Sequence, residues 1–402
     1  MHVVVLGAGV IGVTTAYYLS QNGHRVTVLD SAGELASGAS AGNGGQLSYS
    51  FTDAMASPAL LTKMPRLMMG LDPAFHIRPP VNSHLVRWGL SFLRQCTASQ
   101  NRENTTAILK LALRSADLMS EIRSSIPLDF SFRRAGKLVM LATQASVQEA
   151  EALCELKRSH GCEVSVVSYK RAVEIEPAVK LMRHHYLGAV YSEHDEVGNS
   201  QSFTTGLGRW LSENRDVEFR LDTEVNNIIA RNNALQGIDT SRGRLDTNAI
   251  VVCMGSWSGK VLRPLGIRTN IYPMRGYSMT LPAVEGSNHV SITDPGSKMV
   301  FSRLGDQMRI AGFADFVGYR TTKDHERVQD LLATARKVAP AIADYEADSI
   351  HEWGGFRPLT PDSRPVAGPS KIHGLHLNTG HGMLGWTLAC ATSHDVAAGI
   401  SI

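Results

Sequence analysis

The sequence predicts an α/β fold: a parallel-sheet domain, split along the chain, is interrupted by a second, α+β domain holding a mostly antiparallel sheet. Three observations predict it. An apolar run at His2–Leu6 ends in glycine, and residues at helical spacing lead from it to a second apolar run at Arg25–Leu29. After Asp30 the texture changes and repeats nothing of that unit. Buried-strand runs and a glycine-punctuated helix then return late in the chain.

The elements follow in order. His2–Leu6 and Arg25–Leu29 are short continuous apolar runs, the pattern of strands buried on both faces. Between them Ile11, Thr15, Tyr18 and Leu19 recur at helical spacing, and Gly23 is placed to end that helix. Strand, tight turn, helix and strand make a βαβ start to a parallel sheet. Asn101–Ser124 and Gln148–Ser159 read as helices and Lys137–Ala142 as a strand. With the Met-, Pro- and Arg-rich stretch Pro58–Cys96 they are assigned to the second domain. Ser202–Glu213 reads as a helix, and Val217–Leu221, Val225–Ala230 and Ala249–Met254 as strands that resume the first. Tyr272–Leu281 and Met308–Gly312 belong to the second sheet, while His376–Asn378, Gly380–Gly385 and the helix Trp386–Gly399 close the first domain. The division is therefore 1–55, 196–266 and 351–402 for one domain, and 56–195 and 267–350 for the other.

Composition narrows the function classes. The 402 residues are 43% hydrophobic and 19% charged, enough for two packed units. Forty basic against 37 acidic residues argue against a dedicated nucleic-acid binder. Five cysteines, an odd number with no C-x-x-C pair, argue against a disulfide framework or a metal site and fit a reducing compartment. No run approaches the ~20 apolar residues of a membrane span, and no charged leader precedes an apolar core. A cytoplasmic location is expected, with peripheral contact at the inner face of the cell membrane as its extension.

Gly7-Ala8-Gly9-Val10-Ile11-Gly12 matches G-x-G-x-x-G in its required setting, after a strand and opening a helix. Gly7 allows the tight turn, Gly9 lets a pyrophosphate approach the backbone, and Gly12 lets helix and strand pack closely. The phosphates would meet free N–H groups at the positive helix end. Asp30, with Ser31 beside it, lies at about the ~20-residue spacing of an acid that binds a ribose diol. This Rossmann-like site fits either NAD or FAD. Its position at the extreme N-terminus and the second glycine-rich segment Gly38–Gly45 favour FAD.

Five segments in order carry a resemblance: Val3–Asp30, Ala36–Ser48, Tyr272–Pro282, Gly354–Gly368 and Leu377–Cys390. Together the chain resembles the FAD-dependent amine oxidoreductases of the D-amino-acid oxidase superfamily, and within it is similar to bacterial D-amino-acid dehydrogenases (small subunit). The resemblance implies non-covalent FAD. Ser40, Ala41, Asn43, Gly44, Gly45 and Gln46 would line its pyrophosphate, ribityl chain and flavin, and Val225 would offer backbone to the adenine. Gly255, Ser256 and Trp257 would lie at a strand end near the cofactor. Gly380, Gly382, Met383, Leu384 and Gly385 would set a helix N-terminus by the flavin pyrimidine, where reduced flavin carries negative charge. Arg357, locally just an arginine in a Pro-rich turn, matches the superfamily's clamp for a substrate carboxylate; guanidinium forks onto two oxygens. Tyr277 either adds a hydroxyl to that carboxylate or is a plain strand tyrosine. His381 is either a proton-transfer group or a ring packed on the cofactor.

The implied reaction is oxidative deamination of D-amino acids to 2-oxo acids and ammonia, with hydride leaving Cα for flavin N5. No acid–base dyad stands out, and none is strictly required. Related flavoenzymes act on D-proline, hydroxyproline or N-alkyl glycines, others use oxygen directly, and a non-enzymatic nucleotide-binding regulator would keep the fold alone. The resemblance implies quinone or another respiratory electron acceptor as partner. In Pro58–Cys96, Met55, Met64, Met68, Met69, Leu71, Phe75, Trp88 and Phe92 are interleaved with or flanked by Lys63, Arg66, Arg78, Arg87 and Arg94. This mixture suits either a docking face on a membrane or a cap over the active site.

Overall fold

A computed structural model describes residues 1–77, 83–321 and 324–400. Six strands form the first sheet, in the order Val366–Pro369, Leu375–Thr379, Ala249–Val252, His2–Leu6, Arg25–Leu29, Val217–Arg220. All pairs are parallel except the edge pair Val366–Pro369 with Leu375–Thr379. Alternation along the strands feeds two cores. Val3, Val5, Val26, Val28 and Val251 meet Val13, Phe203, Leu207 and Trp386 from helices on one face. Val4, Leu6, Leu29, Ile250 and Val252 meet Val225, Ile228, Ile238 and Leu262 on the other. With both faces covered, alternation in polarity disappears, which is why these strands read as continuous apolar runs.

The second sheet has nine strands. Eight run in the order His351–Leu359, Tyr272–Pro282, Gln307–Phe316, Met299–Leu304, Ser291–Asp294, Lys137–Leu141, Gly188–Ser192, Val164–Ser168, and Phe75–Ile77 pairs beside Gln307–Phe316. Most pairs are antiparallel; Ser291–Asp294 with Lys137–Leu141, and Phe75–Ile77 with its neighbour, are parallel. Helix Asp324–Val338 lays Val328, Leu331 and Ala335 against Tyr277, Met279 and Leu281 on one face of this sheet. The other face carries the residues that meet the glycine-rich loop after Asp30.

Two segments are distributed differently from the sequence division. That division puts His351–Leu359 in the first domain, yet this strand pairs along its whole length with Tyr272–Pro282 at the edge of the second sheet. Its Gly-Gly and Pro content hides a strand, because edge strands tolerate such residues better than central ones. The division puts helix Ala98–Ser125 in the second domain. Its Ile108, Ala112, Met119 and Ile122 pack with Trp386 in the first core, while Leu109 meets Val139 of the second sheet in a separate cluster. At 28 residues, about 42 Å at 1.5 Å per residue, it is long enough to serve both. The Thr97 hydroxyl caps it, accepting from Gln100 N at 3.2 Å.

Candidate active site

The nucleotide turn is built by steric demand. Gly7 has φ +106°, and a Cβ there would lie 2.7 Å from Cys253 O; a Cβ on Gly12 would lie 1.8 Å from Gly7 O. Gly9 differs: the nearest atom to a Cβ is Ser40 Oγ at 3.4 Å, so packing within the protein does not demand glycine there. Asp30 ties the turn to the second strand, accepting from Ala8 N on one carboxylate oxygen (2.7 Å) and from Ala32 N on the other (2.9 Å). Ser31 is exposed directly after it. Thr223 N donates to Asp30 O at 2.8 Å, which brings the start of the strand Val225–Arg231, and buried Val225, to the same end of the sheet.

Helix Val10–Gln21 begins at Gly9 with no capping side chain of its own. Ser40 Oγ accepts from Val10 N at 3.0 Å, while the N–H groups of Ile11 and Gly12 have no protein acceptor among the described residues. Helix Gly385–Ala398 also starts without a side-chain cap, at Leu384, and the amides of Gly385 and Trp386 have no protein acceptor among the described residues. Uncapped helix N-termini are anion sites. One follows His2–Leu6 at the G-x-G-x-x-G turn and the other follows Leu375–Thr379, at the same carboxyl edge of the parallel strands and two strands away, which suits a pyrophosphate and an electron-accepting ring. The donor set therefore fits FAD.

The loop after Asp30 is pinned between the two domains. Gly45 N donates to Asn43 Oδ1 at 2.9 Å. Arg309 donates to Ala41 O (3.1 Å), Asn43 O (2.8 Å) and Thr280 Oγ1 (2.6 Å). Burial pushes its guanidinium down to about 10. Gly44 and Gly45 face Val300 and Leu304, and a Cβ on Gly42 would strike the Trp353 ring at 1.9 Å. Arg309, Trp353 and Gly276 escape sequence reasoning; a basic residue inside an apolar strand is the only local signal for the first.

Arg357 stands on the same sheet face. Cross-strand pairing sets it opposite Met274, beside Gly276, whose missing Cβ would lie 2.4 Å from Arg357 Cζ. Its guanidinium donates to Phe313 O at 3.2 Å and has no carboxylate partner among the described residues. Burial pushes its pKa down to about 10, so it stays charged at neutral pH. Phe313 adopts φ +57°, a left-handed conformation that costs energy for a bulky residue. Gly382 N donates to Pro358 O at 2.9 Å, which joins Arg357 to the Gly380–Gly385 turn; Gly380 and Gly382 take φ +79° and +56° there. Ser278 Oγ is buried without a partner on this face.

Tyr277 is not brought to that arginine's face. Neighbouring strand residues alternate sides, and its hydroxyl donates to Asp315 Oδ2 at 2.9 Å, a carboxylate already forked by Arg327 at 2.9 Å on each oxygen. His381 is buried and hydrogen-bonded to Thr392 Oγ1 at 3.0 Å; burial lowers its pKa to about 3, so it is neutral at working pH. Trp257, 49% exposed, turns its ring outward onto Tyr319 (centroids 4.5 Å apart), whose hydroxyl donates to Ser256 O at 2.6 Å; Gly255 is left at the strand end with φ +52°. Met383 is exposed and Leu384 packs on the first core.

The profile of the family described as FAD dependent oxidoreductase (DAO) matches residues 2–398. The chain belongs to this family. It is 36% identical to "D-amino acid dehydrogenase 2" of Ralstonia nicotianae, covering 98% of this chain and 95% of that one. It is 35% identical to "D-amino acid dehydrogenase" of Dechloromonas aromatica, covering 100% and 97%. Among solved structures, L-proline dehydrogenase from P. horikoshii superposes with a TM-score of 0.76 at 19% identity over 99% of this chain and 92% of its own. Glycine oxidase from Geobacillus kaustophilus gives 0.76 at 21% over 99% and 93%. This FAD-dependent oxidoreductase thus has the discontinuous FAD-binding domain and mixed-sheet second domain of its family, and is an amine-oxidising flavoenzyme in type.

Proposed function

We propose that the enzyme oxidises D-amino acids to 2-oxo acids and ammonia. The observation that carries this reading is Arg357: a charged guanidinium without an acidic partner among the described residues, on the face that meets the FAD loop, in a strand whose next residue, Pro358, accepts a backbone hydrogen bond from Gly382. An unneutralised buried cation calls for an anionic ligand, and its forked donors match a carboxylate. FAD would be held by the Gly7–Gly12 turn, Asp30, Ser40 and the Asn43–Gln46 loop, and when bound supplies hydride acceptance at N5. The protein's part is to fix the carboxylate on Arg357, aim the Cα–H, and set helix Gly385–Ala398 where negative charge develops. His381, neutral and bonded to Thr392, is not used as a base; the amine is taken up unprotonated. Anaerobic mixing with D- and L-amino acids should bleach the oxidised flavin band with D-enantiomers. Bleaching by L-enantiomers alone, or by no amino or imino acid, would overturn the reading, and inclusion of proline and N-methylglycine separates secondary-amine substrates.

The electron acceptor is proposed to be a quinone, met at a membrane face formed by residues 58–77 and 83–96. Helix Pro58–Met68 buries none of its residues, and Leu61, Met68, Met69, Leu71, Val86, Leu90 and Leu93 are exposed. Lys63, Arg66, Arg87 and Arg94 accompany them; Arg78 lies outside the described residues. Trp88 and Phe92 point the other way, packing on Tyr272 and Phe316, with Trp88 Nε1 donating to Leu359 O at 2.9 Å. The two faces of helix Ser83–Gln95 thus support both roles that the sequence leaves open. No helix among the described residues is long and apolar enough to cross a membrane. Replacing Met68, Met69 and Leu71 with serine should spare dye-linked activity and depress quinone-linked activity; equal loss of both would sink the docking idea.

A further inference from the structure

Lys137, like Arg309 and Arg357, is a buried cation whose hydrogen-bond partners carry no charge. It opens the strand Lys137–Leu141 and is 2% exposed. Its ammonium donates to Ser48 Oγ at 2.7 Å and Gln46 Oε1 at 2.9 Å, and lies 4.3 Å from the centre of the Phe51 ring. The acid nearest in effect, Asp195, instead accepts from Ser50 N and Ser50 Oγ, both at 3.0 Å. The neighbouring buried lysine, Lys157, is paired with Asp53. Burial lowers the pKa of Lys137 to about 8, which still leaves it mostly protonated at neutral pH. Keeping such a charge from water is costly unless something nearby uses it.

Its surroundings indicate what. Ser48 N donates to Thr387 Oγ1 at 3.1 Å, and Thr387 is the third residue of the uncapped helix Gly385–Ala398. Gln46, held through its Oε1, turns its amide nitrogen to Ser291 and Thr293 at 3.3 Å each. The ammonium thus stands two hydrogen bonds from a helix end that is itself positive, behind two residues of the loop that lines the FAD site.

We propose that Lys137 is a positioning residue for the electron-accepting end of the flavin: it fixes Gln46 and Ser48, and adds its charge to the helix N-terminus in favouring the anionic reduced cofactor. This rests on the FAD reading. Fixed positive charge near that end raises the flavin's reduction potential and its affinity for sulfite, whose adduct also leaves negative charge on the ring.

The test compares the flavin-loaded wild type with Lys137→Gln, which keeps hydrogen bonding without charge, and Lys137→Arg, which keeps charge. Sulfite affinity of Lys137→Gln should fall at least about tenfold; an equal weakening of two-electron reduction corresponds to about 30 mV. Lys137→Arg should recover most of both. Loss of flavin by Lys137→Gln with retention by Lys137→Arg also supports the charge role. Unchanged sulfite affinity and potential in Lys137→Gln, equal impairment of the two variants, or loss of flavin by both overturns it. Wild type lacking a visible flavin band would mark failure of the FAD reading instead.

Discussion

Arg357 carries the most consequence per atom. A charge-assisted hydrogen bond is worth about 1.5–3 kcal/mol, so a two-pronged carboxylate contact amounts to about 3–6 kcal/mol. Arg357→Met should therefore lower kcat/KM by roughly 10²–10⁴ while the flavin spectrum is retained, and Arg357→Lys should fall between, keeping charge but losing the fork; steady-state kinetics on flavin-loaded enzyme checks both. Gly276→Ala attacks the same group sideways. Its Cβ would meet Arg357 Cζ at 2.4 Å, so the guanidinium must shift. A raised KM with about 1–3 kcal/mol of lost stability is expected, whereas Gly89→Ala, with nothing within 4 Å, should leave KM alone. His381 makes a prediction about pH. Its folded pKa, lowered to about 3, lies below the ordinary 6.5, so the unfolded chain binds the extra proton first. Stability should hold above about pH 6.5 and decline towards pH 3, by on the order of a few kcal/mol from this group. Urea unfolding at pH 7 and pH 5 should show a smaller difference for His381→Gln than for wild type.

At the scale of elements, the two uncapped helix starts are the parts most dependent on a ligand. The acceptor-free amides of Ile11, Gly12, Gly385 and Trp386 should exchange hydrogen more slowly once FAD is bound, while the Thr97-capped start of Ala98–Ser125 should not change; exchange read residue by residue checks this. These starts also mark what is legible in the sequence. The G-x-G-x-x-G turn follows from local sterics, so Gly7, Gly12 and Asp30 can be assigned from residue order alone. Gly380–Gly385 and Arg357 need the family pattern, because their meaning lies in a juxtaposition across the fold. Gly276, Arg309 and Trp353 are not legible at all: each is defined by a cross-strand neighbour or by the loop it touches. Tyr277 misleads because strand parity, which sends it towards Asp315, depends on which sheet face meets the cofactor. Helix Gln144–Arg158 starts earlier than its apolar pattern indicates, since the Thr143–Ser146 capping box extends it by polar means.

For the whole molecule, the proposed site makes the cofactor a structural member. From the Asp30 end to the Gly385 end it would contact pieces far apart in sequence, and binding to the folded state alone stabilises by about 4.1 kcal/mol at a thousandfold excess over Kd. Stripping FAD should lower the midpoint of thermal unfolding, and titrating it back should restore the midpoint with a dependence on FAD concentration; a midpoint indifferent to FAD would contradict this arrangement. The docking face proposed for Pro58–Met68 and Ser83–Gln95 lies outside that scaffold, so its serine variants should leave the midpoint almost unmoved.

The order of the six-stranded sheet has one more consequence, for the timing of birth. His2–Leu6 is made first, but its neighbour Ala249–Val252 arrives some 240 residues later, and that strand's own neighbour, Leu375–Thr379, arrives last. At ~5–20 residues per second on the ribosome, the opening βαβ unit waits roughly ten seconds to a minute with both apolar edges open, one for Ala249–Val252 and the other for Val217–Arg220. During that interval the nascent chain must be shielded by chaperones or by its own provisional contacts, and a ribosome stall before residue 375 would release a protein whose phosphate-binding turn is present but whose sheet cannot close.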